Sequence, residues 1–261
     1  MHPVRLVGAG PGAADLLTLR AAEAIRGAEA LLYDALVCDE VLALAPARCL
    51  KIRTGKRAGR ASMSQDVINR LMLRLARRGL KVVRLKGGDP SVFGRSGEER
   101  AFLEAHGVAV EVVPGVTAAS AAAAQFGFPL THRGEARRLM IATARTQDGR
   151  VVESGWTAGA DPETTLALYM AGDAADAVAQ RLMMEGRSPD TPALAVENAG
   201  RPEARLVPCS LRALGAAVSE AAFDGPVLLL VGAVAAQAVA PAAKDFRSDD
   251  AAVYLKPVAA R

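Results

Sequence analysis

Val4-Arg5-Leu6-Val7-Gly8-Ala9-Gly10-Pro11-Gly12-Ala13 decides the fold class. A short β-forming run enters a glycine turn, and the apolar period then lengthens to Leu16, Leu17, Leu19, Ala22 and Ile25, the spacing of a helix. The same alternation repeats outward. Residues 30–33 predict a strand and residues 40–44 a short helix. Residues 66–78 carry Val67, Ile68, Leu71, Leu73 and Leu75 on one helical face, stopped by Gly79. Residues 81–85 predict a strand, 97–105 a helix and 109–113 a strand. Strands alternating with helices imply an α/β fold with a mostly parallel sheet.

Beyond residues 127–138, Gly-Phe-Pro-Leu-Thr-His-Arg-Gly-Glu-Ala-Arg-Arg, strands are expected at 139–143, 165–169, 193–196 and 227–231, with helices at 174–185 and 210–221. This places a domain boundary near residue 134. The expected division is an N-terminal α/β domain over 1–133, a C-terminal α/β domain over 134–243 and a loosely held tail over 244–261.

The composition fits two globular domains. Of 261 residues, 51% are hydrophobic and 23% charged, which argues against disorder, collagen and coiled coil. Aromatics are only 4%, too few to favour stacking platforms for single-stranded nucleic acid. Charge is uneven: 21 Lys and Arg face 13 Asp and Glu through residue 140, against 11 and 15 beyond it. The first half is thus suited to an anionic partner, although basic arms on solvated helices would give the same count. Cys38, Cys49 and Cys209 form no C-x-x-C and the three histidines are scattered, so neither a disulfide framework nor a metal site is expected. No signal peptide is read, and the alanine-rich stretches at 112–132 and 225–243 are broken by Pro and Gly, so a cytoplasmic protein without membrane spans is expected.

Three turns follow three strands. Gly8-x-Gly10-x-x-Ala13, with Asp34 closing the second strand, imitates a dinucleotide fingerprint. Pro11 removes an N–H that a pyrophosphate needs, and Asp15 puts negative charge in the expected first helical turn. Leu85-Lys86-Gly87-Gly88-Asp89-Pro90 is the second turn and Val113-Pro114-Gly115-Val116-Thr117-Ala118 the third. Gly87 and Gly88 would let a ligand lie against bare backbone, and Asp89 offers an acceptor for hydroxyls or a cationic amine. A positively charged nucleoside suits this set better than a polyphosphate. Lys51, Arg53, Lys56, Arg57 and Arg60 are either a solvated loop or a clamp for carboxylates or phosphates; Arg95 and Arg100 flank Gly97-Glu98-Glu99.

G-A-G-P-G-x-x-x-L-L-T-L at 8–19, V-V-R-L-K-G-G-D-P-x-V-F-G-R at 82–95, V-P-G-V-T-A-A-S at 113–120 and P-L-T-H-R at 129–133 occur in that order. Together they resemble the tetrapyrrole methylases, in the branch of the uroporphyrinogen-III C-methyltransferases. The resemblance implies two α/β domains with S-adenosylmethionine in the cleft between them, S-adenosylhomocysteine as product, and commonly a homodimer. It implies cofactor contacts at Pro11, Gly87, Gly88, Asp89, Val92, Thr117, Ala118 and Met170, with Glu197 and Val227 completing the pocket. It also implies Asp34 as proton acceptor, Lys56 as proton donor and Arg95 in handling the macrocycle. The implied reaction is two methyl transfers, at C2 and C7 of uroporphyrinogen III, giving precorrin-2 on the way to sirohaem or cobalamin.

Ser91 stands where the family usually has an aromatic, Ser96 replaces a glycine, and Ala144-Arg145 replaces Gly-His. These departures bear on the choice of macrocycle. The eight carboxylates of the implied substrate give the basic first half a counterpart, with Arg53, Lys56, Arg57 and Arg95 as candidate steering groups. Other precorrin methylases, an RNA ribose methylase of the same fold, an NAD-dependent oxidoreductase and a non-catalytic S-adenosylmethionine sensor are the competing readings.

Overall fold

The computed structural model describes residues 1–55, 63–146, 150–152 and 155–239. The expected tail and the cations Lys56, Arg57 and Arg60 lie outside the described residues. The chain forms two compact units, divided between Thr117 and Ala118.

In chain order, the first unit contains β1 (Val4–Gly8), α1 (Leu19–Arg26), β2 (Ala30–Tyr33), α2 (Asp39–Ala43), β3 (Leu50–Arg53), α3 (Gln65–Arg77), β4 (Val82–Lys86), α4 (Ser96–Ala105) and β5 (Val110–Val113). Its five strands are all parallel, in the order β3-β2-β4-β1-β5. Alternate residues feed opposite faces. Val7, Leu31, Val83 and Leu85 pack with Ala21, Ile25, Val41 and Leu42 of α1 and α2. Val4, Leu6, Leu32 and Val82 pack with Ile68, Met72, Leu75 and Leu103 of α3 and α4. The chain leaves β1 for one face and β4 for the other, so these neighbours form the switch point where open α/β sheets collect ligands.

The second unit contains α5 (Ala118–Gln125), β6 (Arg138–Thr143), α6 (Thr157–Ala160), β7 (Thr164–Tyr169), α7 (Ala175–Met184), β8 (Pro192–Glu197), β9 (Arg205–Ser210), α8 (Leu214–Ala221) and β10 (Val227–Val231). Strand order is β6-β7-β10-β8-β9, and among the described residues only the β6–β7 pair is hydrogen-bonded in parallel. The expectation of a mostly parallel sheet therefore holds for the first unit and is corrected for the second. Its strands β8 and β9 are consecutive antiparallel neighbours, joined by a turn with Asn198 and Gly200 at positive φ.

The contacts divide the chain ahead of the basic connection at 127–138, where the sequence placed the boundary. Ala119, Ala122, Phe126 and Phe128 pack on Ala167, Leu194, Val196, Leu228 and Leu230, tying α5 and the segment after it to the second sheet. Among the described residues, no helix is long and apolar enough to cross a membrane.

Candidate functional site

The three turns singled out in the sequence are interlocked. Gly10 and Gly88 exchange backbone hydrogen bonds of 3.2 and 2.7 Å, and the Ala9 N–H donates to the Lys86 carbonyl at 2.8 Å. A Cβ on Gly8 would lie 2.6 Å from both Cα and N of Gly115 and 2.8 Å from the Gly88 oxygen. Glycine is required here by close approach of backbone to backbone. The result is a shelf of interlocked main chain at the carboxyl ends of β1, β4 and β5, with the Leu36 side chain against Gly87, where a Cβ would meet it at 2.9 Å. The Thr117 backbone borders Gly88, while Pro11 and Val92 sit half-buried in their own turns.

The first turn does not open a helix directly, as the sequence suggested. It leads into a 3-10 turn at Ala14–Leu16, and α1 begins only at Leu19. Thr18 caps α1 by accepting from the Ala21 N–H at 3.1 Å, and its hydroxyl donates to the Pro114 carbonyl. No bare helix N-terminus follows the glycines to receive a pyrophosphate, which removes the main physical support of the dinucleotide reading.

Asp34 follows β2, the neighbour of β4. Its Oδ1 accepts from the Leu36 N–H at 3.0 Å and its Oδ2 from the Gly87 N–H at 3.3 Å. The proposed proton acceptor is thus half-buried and oriented by the second glycine turn. Asp89 Oδ1 takes the Ser91 N–H at 2.7 Å and the Ser91 hydroxyl; Oδ2 takes the Gly115 N–H at 2.9 Å. Partial burial opposes ionisation of Asp89, but these hydrogen bonds outweigh it and hold the carboxyl below its ordinary range. Asp89 stitches the second turn to the third, with acceptor capacity left on Oδ2 for a ligand. Ser91 supplies a hydroxyl bond to Asp89 that a phenylalanine side chain could not.

The expected cationic residues separate. Arg53 is exposed at the end of edge strand β3, paired in register with Tyr33. Arg95 caps α4 in a left-handed conformation (φ 55°) and grips Glu98 bidentately, at 2.9 and 2.7 Å. That pair holds the Glu98 carboxyl below its usual range. Arg100 pairs with Glu104 one turn along α4.

A buried ionic cluster beneath the second turn escaped the sequence reading. On the β4 face that carries Val82, the next two positions are Arg84 and Lys86, 5% and 4% exposed. Both meet Glu99 of α4, which is 0% exposed. Arg84 Nε donates to Glu99 Oε1 at 3.2 Å, and Lys86 Nζ reaches both carboxylate oxygens at 3.0 Å. Gln65 donates to Glu99 at 3.1 Å and to the largely buried Asn69 at 3.0 Å. The signal available was charge at every second position of an otherwise apolar strand, with an acid on the following helix.

The second unit holds a cavity of about 800 Å³, lined in part by Arg145, Met170, Asp173, Val218, Phe223 and Val227. Met170 is 56% exposed and held at φ 53° just after β7. Val227 begins β10 and packs against Gly172. Arg145 pairs with Asp173 and holds that carboxyl below its ordinary range. Glu197 is buried: Oε1 accepts the Asp224 and Gly225 N–H groups at 2.7 and 2.6 Å, and Oε2 faces Arg205 at 3.5 Å. Arg205 in turn stacks on the Phe223 ring at 4.8 Å. Glu197 therefore shapes the cavity wall through backbone rather than lining it. Ala118 starts α5, and the adjacent Ala119 N–H donates to the Tyr169 hydroxyl at 2.9 Å.

Residues 3–215 match the family model described as Tetrapyrrole (Corrin/Porphyrin) Methylases. The chain is 42% identical over 238 residues to the uroporphyrinogen-III C-methyltransferase of Paracoccus denitrificans, covering 91% of this chain and 83% of that protein. It is 45% identical to the siroheme synthase of Xylella fastidiosa, covering 90% of this chain but only 49% of that longer protein. A crystal structure of uroporphyrin-III C-methyl transferase from Thermus thermophilus complexed with S-adenyl homocysteine superposes with a TM-score of 0.76 at 41% identity, over 89% of this chain and 93% of that one. The family model spans most of the chain and the Paracoccus relative is matched over most of its own length, so this protein is a tetrapyrrole methylase.

Proposed function

We propose that this chain catalyses S-adenosylmethionine-dependent C-methylation of uroporphyrinogen III at C2 and C7, giving precorrin-2. The observation that carries the reading is a carboxylate, Asp34, oriented by the Gly87 N–H at the edge of a shelf of interlocked main chain. Such a shelf suits a zwitterionic nucleoside, for which main-chain groups offer close contact and Asp89 an acceptor. The named activities of the Paracoccus and Thermus relatives support the same assignment.

When bound, S-adenosylmethionine supplies an electrophilic methyl group on a sulfonium. The task left to the residues is positioning, where effective molarities of about 10⁵ to 10⁸ M are attainable, and removal of one proton per transfer. Pro11, Gly87, Gly88, Asp89, Val92 and Thr117 are proposed as cofactor contacts in the first unit, and Ala118, Met170 and Val227 in the second. Glu197 is reassigned to holding the Asp224–Gly225 backbone. Asp34 takes the one proton that the macrocycle releases per transfer, from a ring N–H or an adjacent bridging carbon because the substituted carbon that gains the methyl group carries no hydrogen, a step typically contributing about 10² to 10⁴ in rate. Lys56 is kept as proton donor, and Arg53, Arg57 and Arg95 as groups that attract the substrate carboxylates.

The finer parts of the reading are a homodimer in the cytoplasm, with product entering sirohaem or cobalamin synthesis and no nucleic-acid partner. Light scattering tests the dimer. The deciding experiment for the activity is anaerobic incubation with uroporphyrinogen III and methyl-labelled S-adenosylmethionine, followed by mass spectrometry of the pigment. Two added methyl groups are expected; none would end the reading.

A further inference from the structure

The Arg84, Lys86 and Glu99 cluster is over-supplied with positive charge. One carboxylate, fully buried, serves two cations that are almost as buried, leaving a formal surplus of one positive charge. Burying charge is costly, and a strand-to-helix tie needs only one cation for one carboxylate. Burial, with Arg84 beside it, pulls Lys86 toward losing its proton; Glu99 and then Asp34 oppose this. Asp34 is thus an acid outside the cluster that the Lys86 charge feels, and Glu98, which also feels Lys86, is already taken by Arg95. The residue after Lys86 is Gly87, whose N–H donates to Asp34 Oδ2.

We propose that Lys86 is a positioning residue that acts through Asp34. Anchored on both oxygens of Glu99, Lys86 fixes the end of β4 so that the Gly87 N–H holds the Asp34 carboxylate in one orientation. Arg84 satisfies the structural need for a partner to Glu99; Lys86 is the cation that the fold alone does not require. The inference rests on the methyl-transfer reading and assigns a role within it.

Lys86→Met tests this cleanly, because it leaves Arg84 and Glu99 as a balanced pair and fills the volume with an unbranched chain. Lys86→Gln, which keeps a donor for Glu99, is measured alongside. The expected result is a thermal midpoint at or above that of the unaltered chain, S-adenosylhomocysteine affinity and both KM values within about twofold, and kcat reduced about tenfold or more. In an Asp34→Asn background, Lys86→Met should cost little further, since both changes disable one device. Retained kcat in both variants, joint loss of folding, a loss appearing in cofactor affinity rather than kcat, or a penalty that multiplies the Asp34→Asn loss would each overturn the inference. Those outcomes are distinct from failure of the underlying reading, which would show as no methyl transfer by the unaltered chain and would remove both.

Discussion

Gly8 and Gly115 meet backbone to backbone, so that a Cβ on Gly8 would stand 2.6 Å from both the Cα and the N of Gly115. The neighbours are main chain in adjacent strands and turns, and they cannot swing aside as a side chain would. Gly8→Ala is expected to lower stability by about 1 to 3 kcal/mol through overpacking and to weaken S-adenosylhomocysteine binding, because the shelf must open to admit the methyl group. Gly97→Ala is the matched control: nothing lies within 4 Å of its Cβ position in α4, so about 0.5 to 1 kcal/mol of added stability is expected. Urea unfolding and isothermal titration read both quantities. A Gly8→Ala protein with unchanged midpoint and affinity would show that the turns are free to separate.

Asp34→Asn removes the carboxylate charge and replaces one of the two oxygens that accept from Leu36 and Gly87. If proton removal runs through this group, kcat should fall by about 10² to 10⁴ with cofactor affinity nearly unchanged. Single-turnover methylation with labelled cofactor separates the two. Retained turnover would remove Asp34 from proton handling.

The central strands of both sheets were legible because they are buried apolar runs, and α1 and α3 because they carry a strong 3.6 period; β2 and β10 match their expected residues 30–33 and 227–231. The elements missed are those where pattern is weak or contradicted. Lys51 and Arg53 of β3 fit a solvated loop or an anion clamp as well as a strand, because an edge strand exposes its side chains. β9 carries Pro208, which breaks a strand pattern, and is an edge strand, where proline is tolerated. Ala-rich α5 has no amphipathic face to detect. Within the site, the glycines were readable as turns, but their mutual contact was not, since it depends on which strands are neighbours. Lys86 was read only as part of a turn; its burial against Glu99 follows from strand alternation combined with the docking of α4.

Asp89 gives a pH signature. Its folded-state pKa lies below the ordinary value of 3.8, because hydrogen bonds from Ser91 and Gly115 outweigh the partial burial that opposes ionisation. A depressed carboxylate contributes stability that is present above its unfolded pKa and lost as pH falls through the folded value. Asp89→Asn should therefore lower the thermal midpoint at pH 7, and the gap to the unaltered protein should narrow as pH falls below the ordinary value of 3.8. Thermal melts across acid pH check this. A gap that stays constant with pH would mean that shape, not charge, is what Asp89 contributes.

Two side-chain-bearing residues on the cavity wall of the second unit hold left-handed backbone, Ala222 at φ 45° and Met170 at φ 53°. An L-residue pays about 1 to 2 kcal/mol there, whereas glycine pays mainly in unfolded-state entropy. Ala222 ends α8 and offers only a methyl group, so Ala222→Gly should add about 0.5 to 1 kcal/mol while leaving S-adenosylhomocysteine affinity unchanged. Met170 presents an exposed thioether, and strain retained at an exposed apolar side chain on a cavity points to a ligand contact. Met170→Gly should gain a similar amount of stability and lose cofactor affinity by about tenfold, the difference expected when strain is kept for function. Urea unfolding with parallel titration calorimetry separates the pair. Equal affinities in the two variants would reduce Met170 to a turn residue and withdraw it from the proposed cofactor contacts.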